Sequence, residues 1–190
     1  MLPVVVKLAD DKAWRVRWCL THKLHEIGKM ALSLPTTDNY ASGGQFQSKC
    51  ITVEPENYTN IQITIVNSIE VIVDNLLNDQ ESEVRSAAAA NVHQCCRLFR
   101  KDRVIDVVIP CIQKLANDQS SEYVRTSIAL SINELSVVLG KEATVEYLLP
   151  QLLVLLRDPA SPVSPSVCCM HIYICWCIYI SQLLLDMVIF

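Results

Sequence analysis

Hydrophobic positions recur along this chain with a spacing typical of helices. Three segments begin with a Val-Arg pair and continue with apolar residues at steps of four, four and three. Such steps place the apolar side chains on one stripe of a helix with about 3.6 residues per turn. The sequence therefore predicts three amphipathic helices with equivalent buried faces. Their stripes are Val16, Leu20, Leu24 and Ile27; Val84, Ala88, Val92 and Cys95; and Val124, Ile128, Ile132 and Leu135.

A shorter apolar helix is predicted before each of these three, and a fourth near the C-terminal end. Each is marked by a leucine three residues before an aspartate, and three of the four also have a proline eight residues before that aspartate. Proline is well tolerated in the first turn of a helix, and the aspartate suits the turn that follows. The prolines are Pro3, Pro110 and Pro150; the leucines are Leu8, Leu76, Leu115 and Leu155; the aspartates are Asp11, Asp79, Asp118 and Asp158.

These helix pairs repeat at a constant distance in the second half of the chain. Arg85 and Arg125 are 40 residues apart, and so are Pro110 and Pro150. Helix pairs with this period are typical of α-solenoids, in which each repeat buries its apolar stripe against its neighbours. The predicted fold is therefore all-α, a solenoid of about three and a half helix pairs.

Two segments depart from the repeat. Arg17 and Arg85 are 68 residues apart, and the excess falls in residues 31–70, a polar stretch that holds Gly43 and Gly44 and is predicted to be a loop or disordered. Beyond residue 162 the expected Val-Arg pair is replaced by Val-Ser. We interpret both segments as non-repeat sequence, with aberrant splicing as the hypothesis. The predicted units are repeats at 1–30, 71–104 and 105–143, a partial repeat at 144–162, the insert at 31–70 and an apolar tail at 163–190.

The tail contains 19 residues, between Val167 and Leu185, without Asp, Glu, Lys or Arg. This length is close to the ~20 residues that a membrane span requires. A tail anchor, a buried terminal helix and translated non-coding sequence are the three interpretations. Ser181 and Gln182 interrupt the apolar run and no basic flank orients it, so the anchor is the less favoured one.

Composition restricts the classes of function. Four glycines in 190 residues do not favour a glycine-rich phosphate loop, and a net charge of −4 gives no general attraction to nucleic acid. The nine cysteines form no disulfide-like framework, and the N-terminus lacks the basic part of a signal peptide. We expect reduced thiols and a cytoplasmic protein that also has access to the nucleus.

No catalytic or metal-binding motif is evident in the sequence. It has no nucleophile elbow, no phosphate-binding loop and no Cys-x-x-Cys pair. His22 and His25 lie three residues apart on a predicted helix, but no third ligand accompanies them, so we expect both on a solvated face. The chain is predicted to be non-enzymatic and to need no cofactor or metal.

Several motifs resemble one family. "LADDKAWRVRWCLTHKLHEIGK", "EVRSAAA" and "LGKEATVEYLLP" look like middle HEAT repeats of the scaffolding A subunits of protein phosphatase 2A. The resemblance covers residues 2–30 and 71–158. It implies a scaffold whose turns within the repeats contact the regulatory (B-type) and catalytic subunits of the phosphatase, and the middle repeats favour the regulatory one.

The stretch "WRVRW" at residues 14–18 divides by role. Trp14 and Arg15 have no counterparts in the other repeats, and the resemblance implies that they project from the turn and contact a partner. Trp18 is expected to pack against a neighbouring helix. The alternative function is a truncated or aberrantly spliced product, tail-anchored or not, that binds no phosphatase partner. Residues that recur in every repeat are predicted to form a structural ladder: Asp11, Arg17, Asp79, Arg85, Asp118 and Arg125.

Overall fold

The computed structural model describes residues 2–33 and 59–158, and within them the chain is helical, without strands. The all-α solenoid predicted from the sequence is confirmed. The helices are α1 (Leu2–Ala9), α2 (Trp14–Ser33), α3 (Asn60–Leu77), α4 (Ser82–Cys96), α5 (Lys101–Arg103), α6 (Ile109–Ala116), α7 (Glu122–Leu139), α8 (Lys141–Ala143) and α9 (Leu149–Leu156).

The helices form two layers. In the first layer α1 packs against α3, α3 against α6, and α6 against α9. In the second layer α2 packs against α4, and α4 against α7. Contacts within the pairs α1 and α2, α3 and α4, and α6 and α7 join the layers. Each helix pair thus stacks on the next, which is the arrangement of a solenoid.

The apolar stripes predicted from the sequence meet between the two layers. Ile128 and Ile132 are fully buried, and the equivalent positions of α4 are buried as well. In α2, however, Val16 and Ile27 are only half-buried. The equivalent residues Val84 and Val124 are fully buried.

Two first-layer helices widen just before a proline. α5, a π-helical turn at Val104–Val108 and α6 are continuous, and the N–H of Ile109 donates to the carbonyl of Val104, five residues back. Pro110 follows directly; its missing N–H and bulky ring disrupt ordinary α-helical bonding, and a π turn relieves this. The same arrangement at Thr144–Leu148 precedes Pro150. The prolines lie in the first turns of α6 and α9. The continuous helical segments that contain them begin earlier, at Lys101 and Lys141.

The insert predicted at residues 31–70 is wrong at its two ends. Residues 31–33 belong to α2, and residues 60–70 belong to α3. A capping box starts α3, since the Thr59 hydroxyl accepts from the Gln62 N–H and the Gln62 side chain accepts from the Thr59 N–H at 2.9 Å. The helix pairs therefore begin at residues 60, 101 and 141 rather than at 71, 105 and 144.

The apolar tail and the central part of the insert lie outside the described residues, and so does the membrane segment considered at residues 167–185. In the parts of the chain that the structure describes, none of the helices has both the length and the apolar character needed to cross a bilayer.

Gly140 joins α7 to α8 in a conformation that other residues rarely adopt, with φ 84° and ψ 176°. We expect Gly140→Ala to lower the free energy of unfolding by about 1–3 kcal/mol because of backbone strain. An added Cβ would meet no atom closer than 3.8 Å, so a steric clash does not contribute. Urea denaturation measures the loss.

Arg100 provides the control for this prediction, because it occupies the equivalent position one repeat earlier with an ordinary φ of −69°. Arg100→Ala should change the free energy of unfolding by less than ~1 kcal/mol, as expected for an exposed side chain. Equal losses in the two variants would show that the backbone conformation of Gly140 is not the cause.

Candidate functional site

The turn inside each helix pair is shaped by its aspartate. The Asp side chain accepts a hydrogen bond from the backbone N–H two residues further on, a local bond that stabilises turns. This geometry recurs in three successive repeats. The Oδ1 atoms of Asp11, Asp79 and Asp118 accept from Ala13 at 2.8 Å, from Glu81 at 2.9 Å and from Ser120 at 2.8 Å, respectively.

Arg17 links its own turn to the next one. Its Nη1 donates to the carbonyl oxygen of Asp11 at 2.6 Å. Its Nε and Nη2 donate to Oδ2 and Oδ1 of Asp79 at 2.6 and 2.8 Å, the forked geometry in which arginine binds a carboxylate most strongly. One guanidinium therefore sets the distance between two turns.

Arg85 and Arg125 repeat this arrangement. Arg85 Nη1 donates to the Asp79 carbonyl at 2.8 Å, and Nε donates to Asp118 Oδ2 at 3.0 Å. Arg125 Nη1 donates to the Asp118 carbonyl at 2.7 Å, and its Nε and Nη2 bind Asp158. The structure brings the six residues of the expected ladder together and adds Asp158. Each arginine forms its ion pair with the aspartate of the following repeat, so the turns follow one another along one edge.

Two carboxylates of this ladder, those of Asp79 and Asp118, are held in their charged form. Burial by itself would raise the pKa of Asp79, but hydrogen bonds from Arg17 and from the Glu81 N–H outweigh it and hold the pKa below its ordinary value. Asp118 behaves similarly, because Ser120 and Arg85 lower its pKa against the effect of burial. Both aspartates are therefore ionised throughout the neutral pH range.

An open groove of about 320 Å³ lies between the second and third turns. Lys114 reaches across it, and its Nζ donates to Oδ1 of Asn78 at 2.7 Å. The edge of turns thus offers a polar, concave surface next to the ladder. The lining residues are Asn78, Asp79, Arg85, Lys114, Leu115, Asn117 and Asp118.

Trp14 and Arg15 take different positions at the start of α2. Arg15 is exposed, whereas Trp14 is half-buried and packs against the hydrophobic core. The Cζ atom of Arg15 lies 4.7 Å from the centroid of the Trp14 ring, a cation–π contact. The expectation that Trp14 projects freely from the turn is therefore wrong, since its large ring covers the core. Trp14 supports Arg15, and Arg15 is the group presented to solvent.

Trp18, which the sequence suggested would pack against a neighbouring helix, is 40% exposed. Its ring centroid lies 4.3 Å from that of His22, which is also exposed. Arg15, Trp18 and His22 are spaced by three and four residues and share one face of α2. We call these three residues the α2 patch.

The prediction that His25 lies on a solvated face is wrong. His25 is half-buried, and its Nε2 is buried without a hydrogen-bond partner among the described residues. Burial and the positive charges of Lys29 and Arg97 lower the pKa of His25. Arg97 follows the last residue of α4, so the His25 side chain is turned towards α4 rather than to solvent. The prediction failed because the position next to the apolar stripe is covered by the neighbouring repeat.

Parts of this chain are similar in sequence to known proteins. The beta isoform of the 65 kDa regulatory A subunit of serine/threonine-protein phosphatase 2A from Homo sapiens is 34% identical over 106 residues, 54% of this chain and 18% of that protein. The Mus musculus beta isoform is 34% identical over 86 residues, 43% of this chain and 14% of that protein. The resemblance first seen in the repeat motifs is thereby confirmed, although the chain spans less than a fifth of these relatives.

Two further matches extend beyond those segments. A non-specific serine/threonine protein kinase from Candida glabrata is 24% identical over 153 residues, 73% of this chain and 11% of that protein. The family described as "PIK3R4-like, middle domain" matches residues 1–176. Because this match covers most of the sequence, the chain belongs to the PIK3R4-like middle-domain family.

Proposed function

We propose that this chain is a non-enzymatic scaffold segment that helps to assemble a serine/threonine protein phosphatase 2A holoenzyme, in the cytoplasm and with access to the nucleus. The 34% identity with the beta isoform of the 65 kDa phosphatase scaffold is the observation that carries the proposal. The ladder of arginines and aspartates supports it, because a row of turns at constant spacing can hold two partners in a defined relative position.

The proposed contact for a regulatory (B-type) subunit is Arg15, supported by Trp14. Arginine is frequent at the energetic centre of protein interfaces because its planar fork makes several directed hydrogen bonds. The cation–π contact with Trp14 orders the Arg15 side chain before a partner arrives, so less conformational entropy is lost on binding. Trp18 and His22 extend this surface along the α2 patch. The catalytic subunit would contact other repeats of a full-length relative.

Arg15→Ala is expected to weaken binding of a purified regulatory subunit by about 1–3 kcal/mol, the loss typical of an interface anchor. The thermal midpoint should stay unchanged, because the Arg15 side chain is exposed. A binding titration and a thermal melt on the same samples measure the two effects. Arg15 gives a cleaner test than Trp14, whose removal would also disturb the core.

The matched control is Arg100→Ala, which removes an exposed arginine with a side chain 60% accessible, located between α4 and α5 and therefore outside the first helix pair. This variant should bind as tightly as the wild type. If both variants bind the regulatory subunit equally well, Arg15 is not the contact. If the folded wild type shows no binding to any regulatory subunit, the scaffold proposal itself fails.

The absence of binding by the folded wild type would favour another candidate function. The alignment with the Candida glabrata protein kinase covers 73% of this chain, more than the alignment with the human phosphatase scaffold covers. A helical-repeat segment that accompanies a kinase would need no phosphatase partner. A truncated or aberrantly spliced product would also lack binding, but a cooperative thermal melt of the wild type would argue against a chain that cannot fold.

A further inference from the structure

Three polar side chains occupy equivalent positions in the second layer. His25 of α2, His93 of α4 and Asn133 of α7 are separated by 68 and 40 residues, the same distances that separate the arginines of the ladder. Each has a buried polar atom that makes no hydrogen bond within the described residues: His25 Nε2, His93 Nδ1 and Asn133 Oδ1. We call these three residues the polar column.

Buried polar atoms without partners are rare in folded proteins, because each has given up its bonds to water. Here they recur at one register position in successive repeats. We therefore treat them as a recurring feature of the contacts between neighbouring second-layer helices, and not as an isolated packing error. Since α2 packs against α4 and α4 against α7, the polar column runs across both contacts.

Charged groups from several helices surround the two imidazoles. Arg97 acts on both His25 and His93, and it pairs with Glu134 of α7 at 3.3 Å. α3 also packs against α2 and α4, and its buried Glu70 is bound to Arg103 at 2.8 Å. The charges that act on His25 are Lys29, Arg97, Glu26 and His93, and those that act on His93 are Glu134 and Arg97. Glu134 and the backbone carbonyl of Ala90 favour the charged form of His93, but burial outweighs them.

We propose that His25 and His93 form an acid-sensitive joint between the repeats. Neutral imidazoles allow α2, α4 and α7 to pack closely. When each imidazole takes up a proton from solvent, a positive charge appears at a half-buried position near the exposed guanidinium of Arg97. The neutral amide of Asn133 cannot compensate for it. Mild acid therefore loosens the second layer where the repeat carrying Arg15 meets the next one.

The direction of the pH dependence follows from burial. Burial lowers the pKa of both His25 and His93 below the ordinary value of about 6.5. The unfolded chain therefore binds more protons than the folded chain between the lowered pKa values and about pH 6.5. The contribution to stability is complete above about pH 6.5 and falls as the pH is lowered through this window.

The test is urea denaturation of the whole chain at a series of pH values from about 8 to 5. From the slope of stability against pH we expect the two histidines to contribute an uptake of up to about two protons on unfolding. The variants His25→Gln and His93→Gln should each remove part of this uptake, and the double variant should remove the contribution of both. His22→Gln changes an exposed histidine and is the matched control; a loss of slope in this variant equal to that in the His25 and His93 variants would show that burial between the repeats is not the cause.

An unchanged slope in the double variant would overturn the proposal, and so would stability that increases towards lower pH. Should the variants fail to fold, the wild type still decides by NMR. The assigned Cε1–H resonances of His25 and His93 are expected to titrate below the ordinary value of about 6.5. Titration of both at the ordinary value would exclude the joint. Neither readout uses a partner protein, so the result is independent of the scaffold function proposed above.

Discussion

Asp79→Ala is expected to lower the free energy of unfolding by about 3 kcal/mol, because it leaves a half-buried arginine without its carboxylate. The Asp79 side chain is 7% exposed and accepts two hydrogen bonds from Arg17. It also accepts the Glu81 N–H, so the variant loses the local bond that shapes the turn. Urea denaturation of the wild type and the variant measures the difference.

Asp79→Asn separates the charge of the ion pair from the shape of the side chain. Since the Asp79 pKa is lowered in the folded state, its contribution to stability is present above the unfolded value of about 3.9 and is lost as the pH falls below it. The asparagine variant should therefore lose less stability than the wild type on acidification below about pH 4.

Asp102 provides the control for the ladder. It forms an ion pair with Arg100, but both side chains are more than half exposed. Solvent screens such a pair, so Asp102→Ala should cost less than ~1 kcal/mol. Equal losses in the Asp79 and Asp102 variants would show that the ladder is no stronger than an ordinary surface pair.

The ladder illustrates what periodicity can predict. The recurrence of Arg17, Arg85 and Arg125 at one register position identifies residues that serve the stacking of repeats. The sequence does not predict that each guanidinium binds the carbonyl of its own aspartate and the carboxylate of the next one. That offset depends on the distance between stacked turns, which no single repeat contains.

The α2 helix shows where pattern reasoning fails. For Trp14 and Trp18 the sequence predicts environments that differ from those observed. Trp14 is the first residue of the helix and is half-buried against the core, while Trp18, one turn later, is 40% exposed. Their four-residue spacing places both rings on about the same side of α2, so periodicity alone does not distinguish them; the difference depends on what packs over each turn of the helix.

The start of α3 could have been recognised from the sequence. Thr59 and Gln62 have the spacing of a capping box, and Ile65, Ile69 and Ile72 continue a helical stripe. The polar composition of residues 31–70 as a whole conceals these local signals. Composition averaged over 40 residues is therefore a poorer guide to this boundary than the few residues that cap the helix.

Ile132→Ala is expected to lower the free energy of unfolding by about 2–5 kcal/mol, the range for removing a large aliphatic side chain from a packed core. Ile132 has no exposed surface, and it lies on the apolar stripe of α7 between the two layers. Leu130→Ala is the matched control, since Leu130 lies on the same helix, is also aliphatic, and is 51% exposed. Its replacement should cost less than ~1 kcal/mol. Urea denaturation of both variants tests the stripe. A Leu130 variant as unstable as the Ile132 variant would mean that Ile132 does not lie on the face of α7 that is buried in the solenoid.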